Sequence, residues 1–245
     1  MLSALCEDIH HLFLAGMKGT NREWWDKAYE LSHYFVRNHA TSELLEPIIG
    51  LERKLISAKG PHKQFLEERV FQALFTSALY CAPERSGKKR MTLDPSLIER
   101  STSVQERQRH LMALKLVSFS IEVLQLQNPR DAFNNKRKGL AMDLIGRVAD
   151  YYDIPEAIDL CLTALQSNKK TLVLAAAEFY QNYRRGRDMS LTPEMVERLD
   201  DIISKTKDRS VAVTALSLQV EAGLISELEA LSRIDDWKER NLDRL

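Results

Sequence analysis

Two Glu-x-x-His pairs have the spacing that comes closest to a chemical site. In Glu7/His10 and Glu30/His33 both side chains fall on one face of a helix, the arrangement with which di-iron helix bundles hold their metal. A di-iron site also takes a Glu from each of two further helices, and only 23 residues separate the two pairs, which makes their helices short neighbours. We therefore expect surface pairs on amphipathic helices, with no metal and no cofactor.

Motifs for nucleophilic and phosphate chemistry are missing from the sequence. There is no Gly-x-Ser-x-Gly, and no Cys stands in a motif with a His. Ser86, Gly87 and Lys88 follow one another as at the end of a P-loop, but its first glycine is missing and no strand pattern precedes it. The sequence therefore predicts a protein that is not an enzyme.

Two adjacent tryptophans, Trp24 and Trp25, form the most prominent aromatic cluster. They predict a first hairpin closed by one buried and one partly exposed indole, and an exposed indole is a possible anchor for a partner. With Asp26 they resemble the Trp-Trp-Asp stretch of bacterial alkylpurine DNA glycosylases built from HEAT repeats, a resemblance that implies a nucleic-acid-binding protein, with or without glycosylase activity. The catalytic Asp of that family, four residues after the second Trp, corresponds to Tyr29 here.

Charge is distributed unevenly along a chain whose 35 basic and 35 acidic residues cancel. Residues 83–140 hold twelve basic and six acidic residues, whereas residues 192–245 hold eight and twelve. Basic clusters fall in turns and at helix ends, which in a helical stack can line up along one edge. We therefore predict a basic rim for partner binding, formed by Arg85, Lys88, Lys89, Arg90, Arg130, Lys136, Arg137, Lys138, Arg184, Arg185 and Arg187.

A basic rim fits two classes of partner, an acidic segment of another protein or the backbone of a nucleic acid. Aromatic side chains, which stack on bases in single-strand readers, are absent from the two basic loops apart from Phe133. The sequence therefore favours a protein partner, with nucleic-acid binding as the alternative. Nowhere do about 18 consecutive apolar residues occur, so no membrane span is expected.

The chain is predicted to be all-α, because apolar residues recur at helical spacing and no alternating strand pattern competes. Capping boxes predict helix starts at Thr20/Glu23, Ser103/Glu106, Asp153/Glu156 and Ser226/Glu229. Glycines predict helix ends at Gly16, Gly60, Gly186 and Gly223. We expect about eleven helices, near 3–15, 21–38, 43–58, 62–81, 104–126, 135–151, 155–167, 169–184, 193–206, 208–222 and 227–241.

A self-match at an offset of 39 residues indicates a repeat. Residues 170–179 superpose on 209–218, with Ala176 falling on Ala215, and each copy follows an amphipathic helix. A helical hairpin that recurs at this period is typical of stacked repeats, each of which buries its apolar face against its neighbours. We expect the two copies to be adjacent helices and the two alanines to lie where they meet.

The second copy resembles the second helix of a HEAT or armadillo-like repeat. Asp208 would begin the helix, Val211 and Ala215 would pack it, and Gly223 would end it, and the resemblance covers roughly 154–240. It implies an irregular alpha-alpha superhelix whose concave helix face binds another macromolecule. The function implied is an interaction or adaptor module that binds a protein through this face and the basic edge.

Three regions are expected along one continuous solenoid. They are N-terminal helical hairpins over 1–82, a basic loop over 83–102 that a one-turn helix from Pro95 to Arg100 shortens, and HEAT-like repeats over 103–245. Three cysteines far apart in apolar stretches predict buried reduced thiols. No secretory signal is recognisable, so we expect a cytoplasmic protein.

Overall fold

The computed structural model describes residues 2–18, 23–38, 41–57, 63–82, 90–126, 134–167, 169–183 and 191–241. The chain divides into two compact units, unit 1 over residues 1–154 and unit 2 over residues 155–245. This boundary lies inside the segment 103–245. The segmentation that the sequence predicts, at 82/83 and 102/103, stays a prediction.

The described residues are mostly helical, which confirms the all-α class. All eleven predicted helices are present with ends within three residues of those predicted, and the one-turn helix after Pro95 is present as well. The helices of unit 1 are α1 Leu2–Lys18, α2 Glu23–Asn38, a 3-10 turn Ser42–Leu44, α3 Leu45–Ser57, α4 Lys63–Leu79, α5 Ser96–Arg100, α6 Val104–Gln125 and α7 Asn134–Ala149. Those of unit 2 are α8 Ala157–Leu165, α9 Lys170–Tyr183, α10 Pro193–Lys205, α11 Arg209–Glu221 and α12 Glu227–Asn241.

Unit 1 is built from helical hairpins around α4. The pairs α1/α2, α3/α4 and α6/α7 each pack against each other, and α4 also contacts α2, α6 and α7. Phe71 on α4 and Phe119 on α6 are almost fully buried, with ring centroids 6.1 Å apart. Burial of such large apolar side chains is the main favourable term in assembling the unit.

Unit 1 also contains a short parallel pair of strands that the sequence does not predict. Strand β1 Met91–Thr92 pairs with β2 Tyr152–Asp153, and the Leu93 amide donates to the Asp153 carbonyl over 2.7 Å. Because Asp153 lies in the strand, the predicted capping box Asp153/Glu156 is wrong, and α8 begins at Ala157 without a side-chain cap. Two residues are too few to show an alternating pattern, so this feature leaves no signal in the sequence.

The serine half of two other predicted capping boxes is confirmed by hydrogen bonds. Ser103 Oγ accepts from the Glu106 amide over 3.0 Å, and Ser226 Oγ accepts from the Glu229 amide over 3.1 Å. The box at Thr20 and the glycine ends at 60 and 186 lie outside the described residues. Gly16 lies within α1, so the helix end predicted there is wrong.

The end of α11 is a Schellman motif, as the predicted stop at Gly223 requires. Gly223 has φ of 68°, a left-handed conformation that glycine adopts without steric cost. The Leu224 amide donates to the Gln219 carbonyl and the Gly223 amide to the Val220 carbonyl, both over 2.9 Å. The chain thereby turns into α12 within five residues.

Unit 2 stacks two helical hairpins and a fifth helix. Helices α8/α9 and α10/α11 form the hairpins, α8 contacts α10, α9 contacts α11, and α12 packs on α11. The two copies related by 39 residues are therefore neighbours, and Ala176 and Ala215 are fully buried. Membership of the HEAT class and a superhelical course stay predictions.

Candidate interaction surface

Four of the predicted rim residues lie in the described part of the chain. Arg90 Nε donates to the Asp150 carbonyl over 3.3 Å, Lys136 forms an ion pair with Glu68, and Lys138 is partly buried, which lowers the pKa of its ammonium group. The others fall outside the described residues: Arg85, Lys88, Lys89, Arg130, Arg184, Arg185 and Arg187.

Arg137 is not a rim residue, because its side chain is fully buried in unit 1. Its Nε lies 3.3 Å from Glu52 Oε1, and its Nη2 forms an ion pair with Glu67 Oε1. Lys63 Nζ lies 3.9 Å from the same Glu67 oxygen and donates to the Ile56 carbonyl over 2.9 Å. The predicted partner contact at Arg137 is therefore wrong, and the residue joins α3, α4 and α7 instead.

Burial determines the charge of this cluster. It raises the pKa of Glu52 well above its usual range, and the Glu67 carboxylate raises it further against the lowering effect of Arg137. Protonation of Glu52 leaves one carboxylate, that of Glu67, opposite one guanidinium. Both glutamates are fully buried, so no substrate reaches them and the cluster serves the fold.

The helical spacing of the sequence places Arg137 at a core position, but its positive charge suggests a solvated side chain. On α7 the inward positions are Asn134, Arg137, Ala141, Leu144 and Val148, at helical spacing. Arg137 occupies a core position within a run of three basic residues, and such runs are normally solvated. Glu52 on α3 and Glu67 on α4 are likewise charged residues at buried helix positions. Only the packing of the three helices brings these two side chains to Arg137.

The tryptophan cluster does not form an exposed anchor in the part that is described. Trp25 is 3% exposed and belongs to the core of unit 1, while the side chain of Trp24 lies outside the described residues. Asp26 forms an ion pair with Arg69 over 3.2 Å, and the Arg69 guanidinium lies 5.6 Å from the centroid of the Tyr29 ring. These contacts account for the stretch without a base-binding role.

The two Glu-x-x-His pairs lie on α1 and α2. His10 Nε2 is 3.2 Å from Lys54 Nζ, and burial together with this positive charge lowers the pKa of His10. A neighbouring ammonium group opposes the binding of a cation. Across the described residues, no three His, Cys, Asp or Glu side chains are grouped so that they could hold a metal ion.

Exposed apolar side chains are concentrated in unit 2. Of the eight large apolar side chains that are exposed among the described residues, five lie in this smaller unit. We call these five the apolar strip: Leu174, Val213, Leu224, Leu228 and Leu231. Leu228 is 79% and Leu231 is 60% exposed. Exposed apolar side chains that form one patch mark interaction sites, whereas scattered single ones are normal on a protein surface.

Two residues of the strip follow the 39-residue repeat. Leu174 on α9 and Val213 on α11 are equivalent positions of the two copies, on helices that pack against each other, and they are 45% and 41% exposed. The same repeat that buries Ala176 and Ala215 thus leaves an apolar side chain outward in both copies.

A groove of about 480 Å³ runs between α11 and α12. Its middle is lined mainly by apolar and small side chains, and its ends by charged ones. Residues of α11 on the groove are Arg209, Val213, Leu216, Ser217, Val220 and Glu221. Those of α12 are Glu227, Ala230, Leu231 and Ile234. Leu231 and Val213 belong to both the groove and the apolar strip, so the two features overlap. We call this feature the α11–α12 groove.

The position of α12 is fixed by polar contacts that lie away from the groove. Trp237 Nε1 donates to the Thr206 carbonyl, which ends α10, over 2.9 Å. Arg233 Nη1 lies 3.5 Å from Asp200 on α10, and its Nη2 pairs with Glu229 over 2.7 Å. The exposed leucines of α12 are therefore held on a positioned helix.

Comparisons with known proteins give a partial likeness. No protein family and no solved structure matches the chain. The chain is similar to the kinetochore protein SPC24 of Saccharomyces cerevisiae, with 27% identity over 125 residues, which is 50% of this chain and 57% of that protein. It therefore spans little more than half of the relative. No helix among the described residues is both long and apolar enough to cross a membrane.

Proposed function

We propose that this protein is a non-enzymatic interaction module that binds another protein chain through the apolar strip of unit 2. The observation that carries the proposal is the exposure of Leu228 and Leu231 beside the α11–α12 groove. Exposure of these leucines to water is unfavourable. Full burial of each side chain against a partner would contribute about 1.5–3 kcal/mol to the free energy of binding. The likeness to a kinetochore protein supports a role in a protein assembly.

The HEAT-like architecture is part of the same proposal. Support comes from the contact between α9 and α11, from the buried alanines at equivalent positions, and from Asp208, whose carboxylate accepts from the Ser210 amide over 2.8 Å to begin α11. In such a stack equivalent positions of successive repeats face the same way, which would place Leu174 and Val213 on one face.

A basic edge contributes less to the proposal than the strip does. Lys136 is already paired with Glu68 and Arg137 is buried, so neither offers an uncompensated exposed charge to a partner's acidic segment. Exposed ion pairs contribute about 0–1 kcal/mol each, so they would orient a partner more than hold it.

The test compares a double variant of the strip with a control at an exposed residue of unit 1. Leu228→Gln with Leu231→Gln removes the apolar surface of α12 without a change in charge, and Gln is a good helix former. Val104→Gln is the control, because Val104 is 77% exposed but lies in unit 1. Proteins captured from a lysate of the source cells by the wild type and by Val104→Gln, but not by the double variant, are then purified.

Each purified candidate is titrated by isothermal calorimetry. We expect saturable binding to the wild type and to Val104→Gln, with at least about tenfold weaker binding to the double variant, since a tenfold change is about 1.4 kcal/mol. Equal affinity for all three proteins would contradict the proposal.

A further inference from the structure

We infer that the chain on the α11–α12 groove is a second copy of this protein, related to the first by a two-fold axis. This inference rests on the proposed function, and it names the partner. An isologous interface uses the same patch on both subunits, so the patch has to be complementary to itself in shape and in charge.

Shape is the first requirement, and the surface carries both a protrusion and a recess. Ser217 on α11 and Ala230 on α12 are small side chains half-way along the groove lining. Leu231 lines the groove and is 60% exposed, and Leu228, three residues earlier on α12, is 79% exposed. With two copies face to face, the leucines of each can enter the recess of the other, as knobs enter holes between packed helices.

Charge is the second requirement, and the two ends of the groove carry opposite signs. Five residues, 222–226, connect α11 to α12, so Glu227 lies at the end where α11 stops. Arg209 lies at the opposite end of α11, twelve residues before Glu221, which corresponds to roughly 18 Å of helix. Neither Arg209 nor Glu227 makes an ion pair with another residue in the described part of the chain.

A two-fold axis through the middle of the groove converts this polarity into two ion pairs. Arg209 of one copy then faces Glu227 of the other, and the same pair repeats on the other side of the axis. Opposite charge at both ends also disfavours a parallel arrangement, which would place like charges together. An unrelated helix would need a matching pair of charges at this separation, whereas a second copy supplies them by symmetry.

The expected dimer is weak. The apolar strip is a small patch, and stable interfaces bury about 1,200–2,000 Å² in total, so this one belongs at the lower limit. We expect a dissociation constant in the micromolar range, roughly 1–100 µM. Sedimentation velocity from about 1 to about 200 µM covers that range and should show a reversible change from monomer to dimer.

The decisive experiment mixes two charge variants. In Arg209→Glu both pairs across the axis become Glu against Glu, and in Glu227→Arg both become Arg against Arg. Each variant alone should dimerise about tenfold more weakly than the wild type, because two exposed pairs change from attraction to repulsion. In an equimolar mixture both pairs are again of opposite sign, so a heterodimer should form with an affinity close to that of the wild type.

Two further variants distinguish an effect on dimerisation from an effect on folding and from a change at another surface. Leu228→Gln with Leu231→Gln should weaken dimerisation at least about 100-fold, which is about 2.7 kcal/mol for the two copies together. Val104→Gln should leave it unchanged. Helicity by circular dichroism should be the same in all variants, since each changed side chain is exposed.

The possible outcomes distinguish failure of the dimer from failure of the proposed function. A wild type that stays monomeric over the whole concentration range, a mixture no tighter than its components, or a dimer that the leucine variant leaves intact would each overturn the inference. If the wild type is monomeric but a different protein binds it and is lost with the leucine variant, the inference fails and the proposed function stands. If no protein depends on the leucines, both fail.

Discussion

Replacement of Arg137 by Met should destabilise unit 1 strongly. Removal of one partner from a buried ion pair costs about 3–5 kcal/mol, because it leaves an uncompensated buried charge. Two features favour the lower end of that range. Glu52 holds a raised pKa and accepts a proton readily, and Lys63 stays 3.9 Å from Glu67. We expect a loss of about 3 kcal/mol in the free energy of unfolding.

Urea unfolding followed by circular dichroism measures this loss, with hydrogen exchange used to assign it to α3, α4 and α7. For a slope of about 2 kcal/mol per molar urea, the midpoint should fall by about 1.5 M. Arg53→Met is the matched control, since Arg53 pairs with Glu122 over 2.6 Å but both side chains are well exposed. Its loss should stay below about 1 kcal/mol.

A second change in the same variant tests the cause. Adding Glu67→Gln to Arg137→Met removes the remaining buried charge, so at least about half of the lost stability should return. A midpoint for Arg137→Met as high as that of Arg53→Met would refute the buried cluster. A double variant less stable than Arg137→Met would show that charge is not the cause of the loss.

Dependence on pH follows from the raised pKa of Glu52. In the unfolded chain a Glu carboxyl loses its proton at about pH 4.3, whereas in the folded protein Glu52 keeps its proton to a higher pH. The stability that this group contributes is therefore fully present below about pH 4.3. It is lost as the pH rises through the folded-state pKa. Within that window stability should fall by up to about 1.4 kcal/mol per pH unit relative to Glu52→Gln. A difference between the two proteins that does not change with pH would contradict it.

Three other predictions concern packing, a turn and the thiols. Ala215→Leu should lower the free energy of unfolding by about 1–3 kcal/mol, since the alanine is fully buried between helices, and an unchanged urea midpoint would place it at the surface. Gly223→Ala should lower the free energy of unfolding by about 1 kcal/mol in the same assay, because a residue with a Cβ is strained at φ of 68°. Nothing lies within 4 Å of the added Cβ, so no steric clash contributes. An unchanged free energy of unfolding would mean that the turn relaxes. Cys6 should react with Ellman's reagent before Cys81 and Cys161, since those two are buried and burial raises the pKa of Cys161 to about 12, and equal rates would contradict this.

The helices could be predicted from the sequence because their signals are local. Ser103, Ser226 and Asp208 each accept a hydrogen bond from an amide two or three residues ahead, and Gly223 needs only its own backbone freedom. Such contacts are complete within one turn of the chain. Their recognition therefore needs no knowledge of what packs nearby.

Long-range features could not be predicted in the same way. Arg137 meets Glu52 and Glu67 only when three helices pack, and its own sequence neighbours suggest a solvated basic run. Leu228 and Leu231 follow the helical spacing of a core face, yet Trp237 and Arg233 fix α12 with these leucines outward. The candidate surface therefore follows from packing, which one sequence does not specify.

Carbene footprinting of exposed side chains tests the central claim most directly, whichever chain binds. The account predicts that labelling of Leu228 and Leu231 falls severalfold when the protein is concentrated to about 200 µM, above the expected dissociation constant, or is saturated with a captured partner. Labelling of Val104, which is 77% exposed and lies in unit 1, should stay constant. Leucines that remain as reactive as Val104 under both conditions would contradict the assignment of the apolar strip as the binding surface.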